Sequence, residues 1–77
     1  MAIFMKVLVE ILKDLRPDVD FDTDARLVED GILESLDIVV LVGEIADKFD
    51  VEISVEDLLP ENFNSKEAIM KLINRNK

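Results

Sequence analysis

The amino-acid sequence predicts a small all-α protein, a four-helix bundle with a long loop between its first and second helices and a short third helix. Apolar residues recur at three- and four-residue steps in several segments, which is the periodicity of amphipathic helices. No two segments show the paired alternation of β-strands, and only two Gly and two Pro interrupt the chain. Because 77 residues hold one small hydrophobic core, we expect residues 1–77 to form a single domain.

The first helix is predicted over residues 3–15, where apolar residues fall on one face and charged residues on the other. Pro17 disfavours helical geometry at Arg16 and therefore marks the end of this helix. In the long connection that follows, we expect a short turn at Leu27 and Val28, packed on the core. Gly31 then permits a tight bend before the second helix.

The second helix is predicted from about Leu36 to Phe49, with Ser35 as its N-cap, because a serine hydroxyl can accept a bond from a free backbone N–H. Asp37 in the first turn suits the positive end of the helix dipole. One apolar stripe is sufficient to face the core, and it consists of Ile38, Leu41, Val42, Ile45 and Phe49.

A second apolar line on this helix lies outside the core stripe and contains Leu36, Val39, Val40 and Gly43. A helix in so small a bundle is difficult to enclose on all sides, so we interpret this line as a docking face. The face is centred on Leu36 and Val39, with acidic residues around it: Asp37, Glu44 and Asp47.

Beyond the second helix, Ser54 and Asp57 have the spacing of a capping box and predict a short third helix that ends at Pro60. The last helix is predicted to begin near Asn64 or Ser65, with Asn64 and Glu67 as a cap pair. It is expected to bury four residues, Ala68, Ile69, Leu72 and Ile73.

The composition excludes several kinds of chemistry. The chain has no His and no Cys, so it cannot form a Ser-His or Cys-His nucleophile or a conventional zinc site, and we expect a carrier or binding protein rather than an enzyme. The net charge of −9 repels nucleic-acid phosphates. No apolar run reaches the roughly 18 residues of a membrane span, and the start of the chain does not resemble a signal peptide, so we expect a cytoplasmic protein.

The negative charge is concentrated in one stretch. Between Asp18 and Asp37 there are eight acidic residues and one basic residue, Arg26, which places −7 of the −9 there. A solvated loop is the ordinary interpretation of such a run. The alternative is a surface that steers a basic partner toward the chain.

The acidic stretch ends in the motif Asp30-Gly31-Ile32-Leu33-Glu34-Ser35-Leu36-Asp37, placed at a helix start. With its amphipathic first helix, acidic loop and Phe49-Asp50-Val51-Glu52-Ile53 segment, the chain resembles the acyl carrier protein family, which includes peptidyl and D-alanyl carrier proteins. Family members carry a phosphopantetheine arm on a serine within Asp-Ser-Leu, which aligns with Ser35. Glu34 stands where the family usually has Asp.

The resemblance implies a phosphoprotein with 4′-phosphopantetheine attached covalently to Ser35, holding an acyl or aminoacyl group as a thioester. A phosphopantetheinyl transferase would add the arm from coenzyme A. Loading ligases and acyl-transferring enzymes with basic patches would then dock on Glu34, Leu36, Asp37, Val39, Glu44 and Asp47. We expect a monomer with no catalytic residue and no metal ligand of its own.

The resemblance leaves the pathway open among fatty acid biosynthesis, D-alanine transfer to cell-wall polymers and a specialised natural-product route. Val40 and Gly43 stand where many fatty-acid carriers have an acidic and a bulkier residue. The docking face is therefore expected to be flatter and less acidic than in those relatives.

Two alternatives come from other classes of protein. Asp18, Asp20, Asp22 and Glu29 have the spacing of a calcium-binding helix–loop–helix loop, although Thr23 occupies the position that calls for Gly. The other alternative is a small acidic interaction module that lacks the modification. The intact motif around the serine argues against it.

Overall fold

The computed structural model describes residues 2–21 and 26–76 of the chain. In these two ranges the chain forms four α-helices and no β-strand. The helices are α1 (Ala2–Leu15), α2 (Ser35–Phe49), α3 (Pro60–Phe63) and α4 (Lys66–Arg75), with a 3-10 turn at Val55–Asp57 between α2 and α3. The predicted all-α bundle with a long first loop and a short third helix is confirmed.

Helix α1 packs on both α2 and α4, and α3 packs on α4. The core takes fully buried side chains from all four helices, and the long loop adds further buried residues between α1 and α2. Each such aliphatic or aromatic side chain contributes about 1.5–3 kcal/mol through burial. The buried set is Leu8, Ile11, Leu12, Phe21, Leu27, Leu33, Leu41, Ile45, Val51, Ile53, Phe63, Ile69, Met70, Leu72 and Ile73.

The end of α1 agrees with the prediction. Leu15 is the last helical residue, and the backbone N–H of Arg16 still donates to the Leu12 carbonyl at 2.8 Å. Phe4, near the start of the helix, is less buried than its periodicity suggests, because it lies at the edge of the bundle. Its ring is partly exposed and rests against the ring of Phe49, with centroids 6.1 Å apart.

The short third helix lies later in the chain than predicted. The expected segment through Leu59 contains only a 3-10 turn, and Pro60, which was expected to close a helix, opens α3. Ser54 Oγ accepts a 3.2 Å bond from the Glu56 N–H and caps the 3-10 turn, which ends at Asp57. Pro60 then occupies the first position of α3, where the missing proline N–H costs no helical hydrogen bond.

Helix α4 begins next to Ser65, as predicted, and Ser65 is its N-cap. Its Oγ accepts a 3.0 Å bond from the Ala68 N–H. The prediction that Asn64 and Glu67 form the cap pair is wrong, because Asn64 bonds instead to the long loop. Ala68 is only partly buried, and Met70 is a further residue of α4 that lies in the core of the bundle.

Candidate functional site

Ser35 is the first residue of α2, and the prediction that it caps the helix is wrong. Glu34 is the N-cap, with extended backbone, and it forms a capping box with Asp37. In this box the Glu34 N–H donates to Asp37 Oδ2 at 3.0 Å. Because Glu34 and Asp37 satisfy the helix start, the exposed Ser35 hydroxyl has no hydrogen-bond partner among the described residues.

The loop that leads to Ser35 is fixed to the α3–α4 junction by Asn64. The Asn64 carbonyl accepts from the Leu27 N–H at 2.9 Å. Its side-chain Oδ1 accepts from the N–H groups of Val28 and Glu29 at 3.0 and 3.1 Å. Three backbone donors of the predicted turn are thus satisfied by one distant residue, which explains why this turn forms against the body of the bundle.

The turn closes on itself and carries the chain to α2. Leu33 donates from its backbone to the Leu27 carbonyl at 2.7 Å, and both side chains are buried. Gly31 adopts φ 74°, a left-handed conformation that suits glycine, so the predicted bend is confirmed. The buried side chains of Leu27 and Leu33, together with the bend at Gly31, set the direction in which the chain enters α2 at Ser35.

Arg16 ties the end of α1 to both sides of Ser35. Its Nη1 donates to the Ile32 carbonyl at 2.6 Å and lies 3.7 Å from Asp37 Oδ2, while its Nε lies 3.6 Å from Asp18 Oδ1. Sequence reasoning missed both Arg16 and Asn64 as residues of this site. A basic residue just before a run of acidic residues was an available signal for Arg16, whereas Asn64 carried no signal beyond its capping propensity.

The predicted docking residues lie on the outer surface of α2, with Glu34 just before it. Leu36 and Val39 are 74% and 63% exposed, and Val40 is also exposed, so the large apolar residues predicted to lie outside the core do so. Glu44 and Asp47 are exposed, and Asp37 is partly buried at the helix start.

Gly43 continues the apolar line of α2, and no part of the fold explains why it is glycine. A Cβ built on it would meet no atom of another element within 4 Å among residues 2–21 and 26–76, so no described element approaches it closely. Beside this line, a shallow groove of about 190 Å³ runs between α1 and α2. It is lined by Ile11, Asp14, Leu15, Val40 and Glu44.

The calcium hypothesis falls partly on residues that the structure does not describe, Asp22 and Thr23. Within residues 2–21 and 26–76, no group of three or more acidic side chains is arranged to hold a metal ion. Among the helices of the same ranges, none is long and apolar enough to cross a membrane.

A family model described as "Phosphopantetheine attachment site" matches residues 4–73, nearly the whole chain. The chain belongs to this family. It is therefore a carrier protein whose domain takes 4′-phosphopantetheine covalently, and the predicted resemblance is confirmed. The exposed Ser35 hydroxyl, which has no partner within the described ranges, is compatible with such an attachment.

The chain is also similar to D-alanyl carrier proteins. Those of Bacillus cereus (strain B4264) and Bacillus anthracis (strain CDC 684 / NRRL 3495) are each 29% identical over 73 residues, covering 92% of both chains. These relatives carry the D-alanyl name, so they lend no support to the expected role in fatty acid biosynthesis.

Proposed function

We propose that Ser35 carries the 4′-phosphopantetheine arm and that the chain presents an aminoacyl or other small acyl group to partner enzymes. The observation that supports this best is the exposed Ser35 hydroxyl, which has no partner among the described residues although it stands at a helix start. The family assigns the chain a phosphopantetheine. The Glu34-Ser35-Leu36 sequence resembles the Asp-Ser-Leu motif of the family, with Glu in place of Asp.

The attachment is a phosphoryl-group transfer from coenzyme A. Ser35 Oγ forms a bond to the phosphorus next to the pantetheine, and the bond from that phosphorus to the nucleotide portion breaks. The hydroxyl proton leaves to a base on the transferase, and the nucleotide portion leaves with the bridging oxygen. The phosphodiester that results is an anion next to the N-terminus of α2, where the helix dipole favours negative charge.

The bound arm supplies the thiol on which the cargo is held as a thioester, and the chain, which has no Cys, offers no competing thiol. The chain itself holds the cargo, presents it to partner enzymes and releases it, while the catalytic groups belong to those enzymes. We propose on these grounds that it is a carrier and not an enzyme, that it works as a monomer and that it works in the cytoplasm.

Partner enzymes dock on the outer surface of α2, next to the attachment point. The high exposure of Leu36 and Val39 supports this role, because the core gains nothing from either side chain. The partners are a phosphopantetheinyl transferase, a loading ligase and enzymes that accept the cargo. Basic patches on these enzymes would face the acidic residues of the surface, Glu34, Asp37, Glu44 and Asp47.

The attachment is tested by incubating the full chain with coenzyme A and a promiscuous transferase, followed by intact-mass measurement. We expect the wild type to gain one phosphopantetheine and Ser35→Ala to gain none. Ser65→Ala is the matched control, since Ser65 also stands at a helix start but is used as a cap. An unmodified wild type beside a labelled reference carrier would refute the proposal, as would a Ser35→Ala variant that is still modified.

The likeness to D-alanyl carriers favours D-alanine or a similar small amino acid as the cargo. The modified chain is offered to a D-alanine-activating ligase with ATP, and an added alanyl group that hydroxylamine removes is the expected result. Loading with a fatty acyl group but not with D-alanine would overturn this choice of cargo, while leaving the attachment at Ser35 intact.

A further inference from the structure

Arg16 reaches from the end of α1 to the segment that contains Ser35. Its Nη1 donates a 2.6 Å hydrogen bond to the carbonyl of Ile32, which lies 16 positions further along the chain. The same nitrogen lies 3.7 Å from Asp37 Oδ2. Ile32 precedes Ser35 and Asp37 follows it, so one guanidinium holds the chain on both sides of the attachment residue.

The contact with Asp37 connects Arg16 to the capping box of α2. Asp37 Oδ2 accepts from the Glu34 N–H at 3.0 Å, so the same oxygen faces the guanidinium and the helix start. Fixing this carboxylate fixes the N-cap, and the N-cap sets the backbone from which Ser35 projects.

Arginine suits this position better than lysine does. The guanidinium faces three oxygen groups. The carbonyl of Ile32 accepts a hydrogen bond from it, and the carboxylates of Asp18 and Asp37 lie at ion-pair distance. Several donors in one rigid plane can address them together, whereas an ammonium is a single compact charge on a flexible stem.

We propose that Arg16 is a positioning residue for the modification of Ser35. It acts through Ile32 and Asp37, and it keeps the first turn of α2 and the preceding residues in the arrangement that the transferase engages. The inference rests on the proposed function. Correct placement of a reacting group matters greatly, because a displacement of about 1 Å can lower a rate by about a hundredfold.

Arg26 provides a matched control in the same acidic region. Its side chain is 73% exposed and, among the described residues, pairs only with Glu29 within its own turn, at 3.4 Å. Arg26→Gln and Arg16→Gln change the net charge equally. A difference between the two variants therefore measures placement of the attachment site rather than overall charge.

The test compares initial rates of phosphopantetheine attachment for the full-length wild type, Arg16→Gln, Arg16→Lys and Arg26→Gln, at a temperature where all four are folded. We expect Arg16→Gln to lose about tenfold or more in kcat/KM, chiefly in kcat, since the hydroxyl is misplaced. Arg16→Lys should recover part of the loss. The kcat/KM of Arg26→Gln should stay within about twofold of the wild-type value, and whatever change occurs should lie in KM and not in kcat.

Amide hydrogen exchange on the unmodified chains provides a second readout. In Arg16→Gln the amides of residues 33–38 should exchange faster, while those of α4 keep their wild-type protection. Faster exchange throughout α4 would mean a loss of global stability and would overturn the inference. So would a wild-type rate for Arg16→Gln, or equal losses in both glutamine variants.

The outcomes separate this inference from the proposed function. A wild type that is not modified defeats the proposed function and this inference together. A wild type that is modified on Ser35, beside an Arg16→Gln variant that is modified equally fast, defeats only the positioning role of Arg16.

Discussion

Helix α4, with ten residues, buries Ile69, Met70, Leu72 and Ile73, whereas α2, with fifteen residues, buries only Leu41 and Ile45. The longer helix therefore contributes fewer buried side chains, although it contains more apolar residues. Its surplus lies on the outside as Leu36, Val39 and Val40. The comparison indicates that the apolar surface of α4 serves folding, while much of that of α2 is available for contact with other proteins.

The starts of α2 and α4 also differ in whether a serine stabilises the helix. Ser65 caps α4 by accepting from the Ala68 N–H at 3.0 Å. Ser35 stands inside α2, whose cap comes from Glu34 and Asp37. A serine at a helix start thus stabilises α4, while at α2 acidic residues perform that task and leave the serine hydroxyl available.

The largest effect that tests this comparison comes from truncating one leucine on each helix. Leu72→Ala should lower the free energy of unfolding by about 2–5 kcal/mol, because the side chain is fully buried. Leu36→Ala should change it by less than about 0.5 kcal/mol, since surface substitutions seldom do more. Urea denaturation followed by circular dichroism measures both.

Leu36→Ala should nevertheless slow the attachment of phosphopantetheine, through a higher KM for the carrier. A Leu36→Ala chain that unfolds as readily as Leu72→Ala would contradict the division between the two helices. A stable Leu36→Ala chain that the transferase modifies with an unchanged KM would contradict the docking face.

The next effect separates the two serines. Ser65→Ala should cost about 1 kcal/mol of stability, the usual loss for a helix N-cap, and should leave phosphopantetheine attachment intact. Ser35→Ala should cost little stability and abolish attachment. Thermal melting measures the stability of both variants, and intact mass measures their attachment. A larger loss of stability in Ser35→Ala than in Ser65→Ala would show that Ser35 contributes to the cap.

Alanine at the two glycines should have smaller effects on stability, and these effects should differ in sign between the two positions. Gly43→Ala should stabilise the chain by about 0.5–1 kcal/mol, because helical glycine is costly and the added methyl meets no atom within 4 Å. Gly31→Ala should destabilise it by about 1–2 kcal/mol, since φ 74° strains any residue with a Cβ.

The effect of Gly43→Ala on the KM with the transferase is a separate test of the docking face. A Gly43→Ala chain that is more stable but has a higher KM with the transferase would indicate that glycine permits close approach of a partner to α2. A variant that is more stable and binds equally well would restrict the docking face to the turns nearer Ser35.

The smallest effect is the response to salt. Three acidic residues beside the docking face, Glu34, Glu44 and Asp47, are solvent-exposed, and the Debye length falls to about 8 Å at physiological ionic strength. Raising the salt concentration should therefore increase the KM of the transferase for the wild type by a few-fold. The stability of α4 and its core should respond much less, and a KM indifferent to salt would contradict the steering role of the acidic residues.

Local patterns predicted much of this molecule correctly. The ends of α1, the extent of α2 and the bend at Gly31 follow from periodicity, proline and glycine, whose effects act within a few residues. The exposed line on α2 was also predictable, because the core can take only one face of a helix. The order of residues around Ser35 was enough to indicate the family.

Competition between neighbouring groups was harder to predict. Glu34, Ser35 and Asp37 can all cap a helix, and local propensity favours serine among them. Pro60 presented a similar choice, since proline follows the end of some helices and opens others. In each case the outcome depends on which groups the rest of the fold brings within hydrogen-bond distance.

The sequence by itself determined the all-α pattern, the serine that we propose carries the arm and the apolar surplus of α2, since each depends on the order of nearby residues. Only the tertiary structure decided how that serine is held. Arg16 contacts Ile32 across 16 positions, and Asn64 contacts Val28 across 36. Such bonds arise when packing brings distant segments together, because a hydrogen bond depends on distance and direction in space and leaves no periodic pattern along the chain.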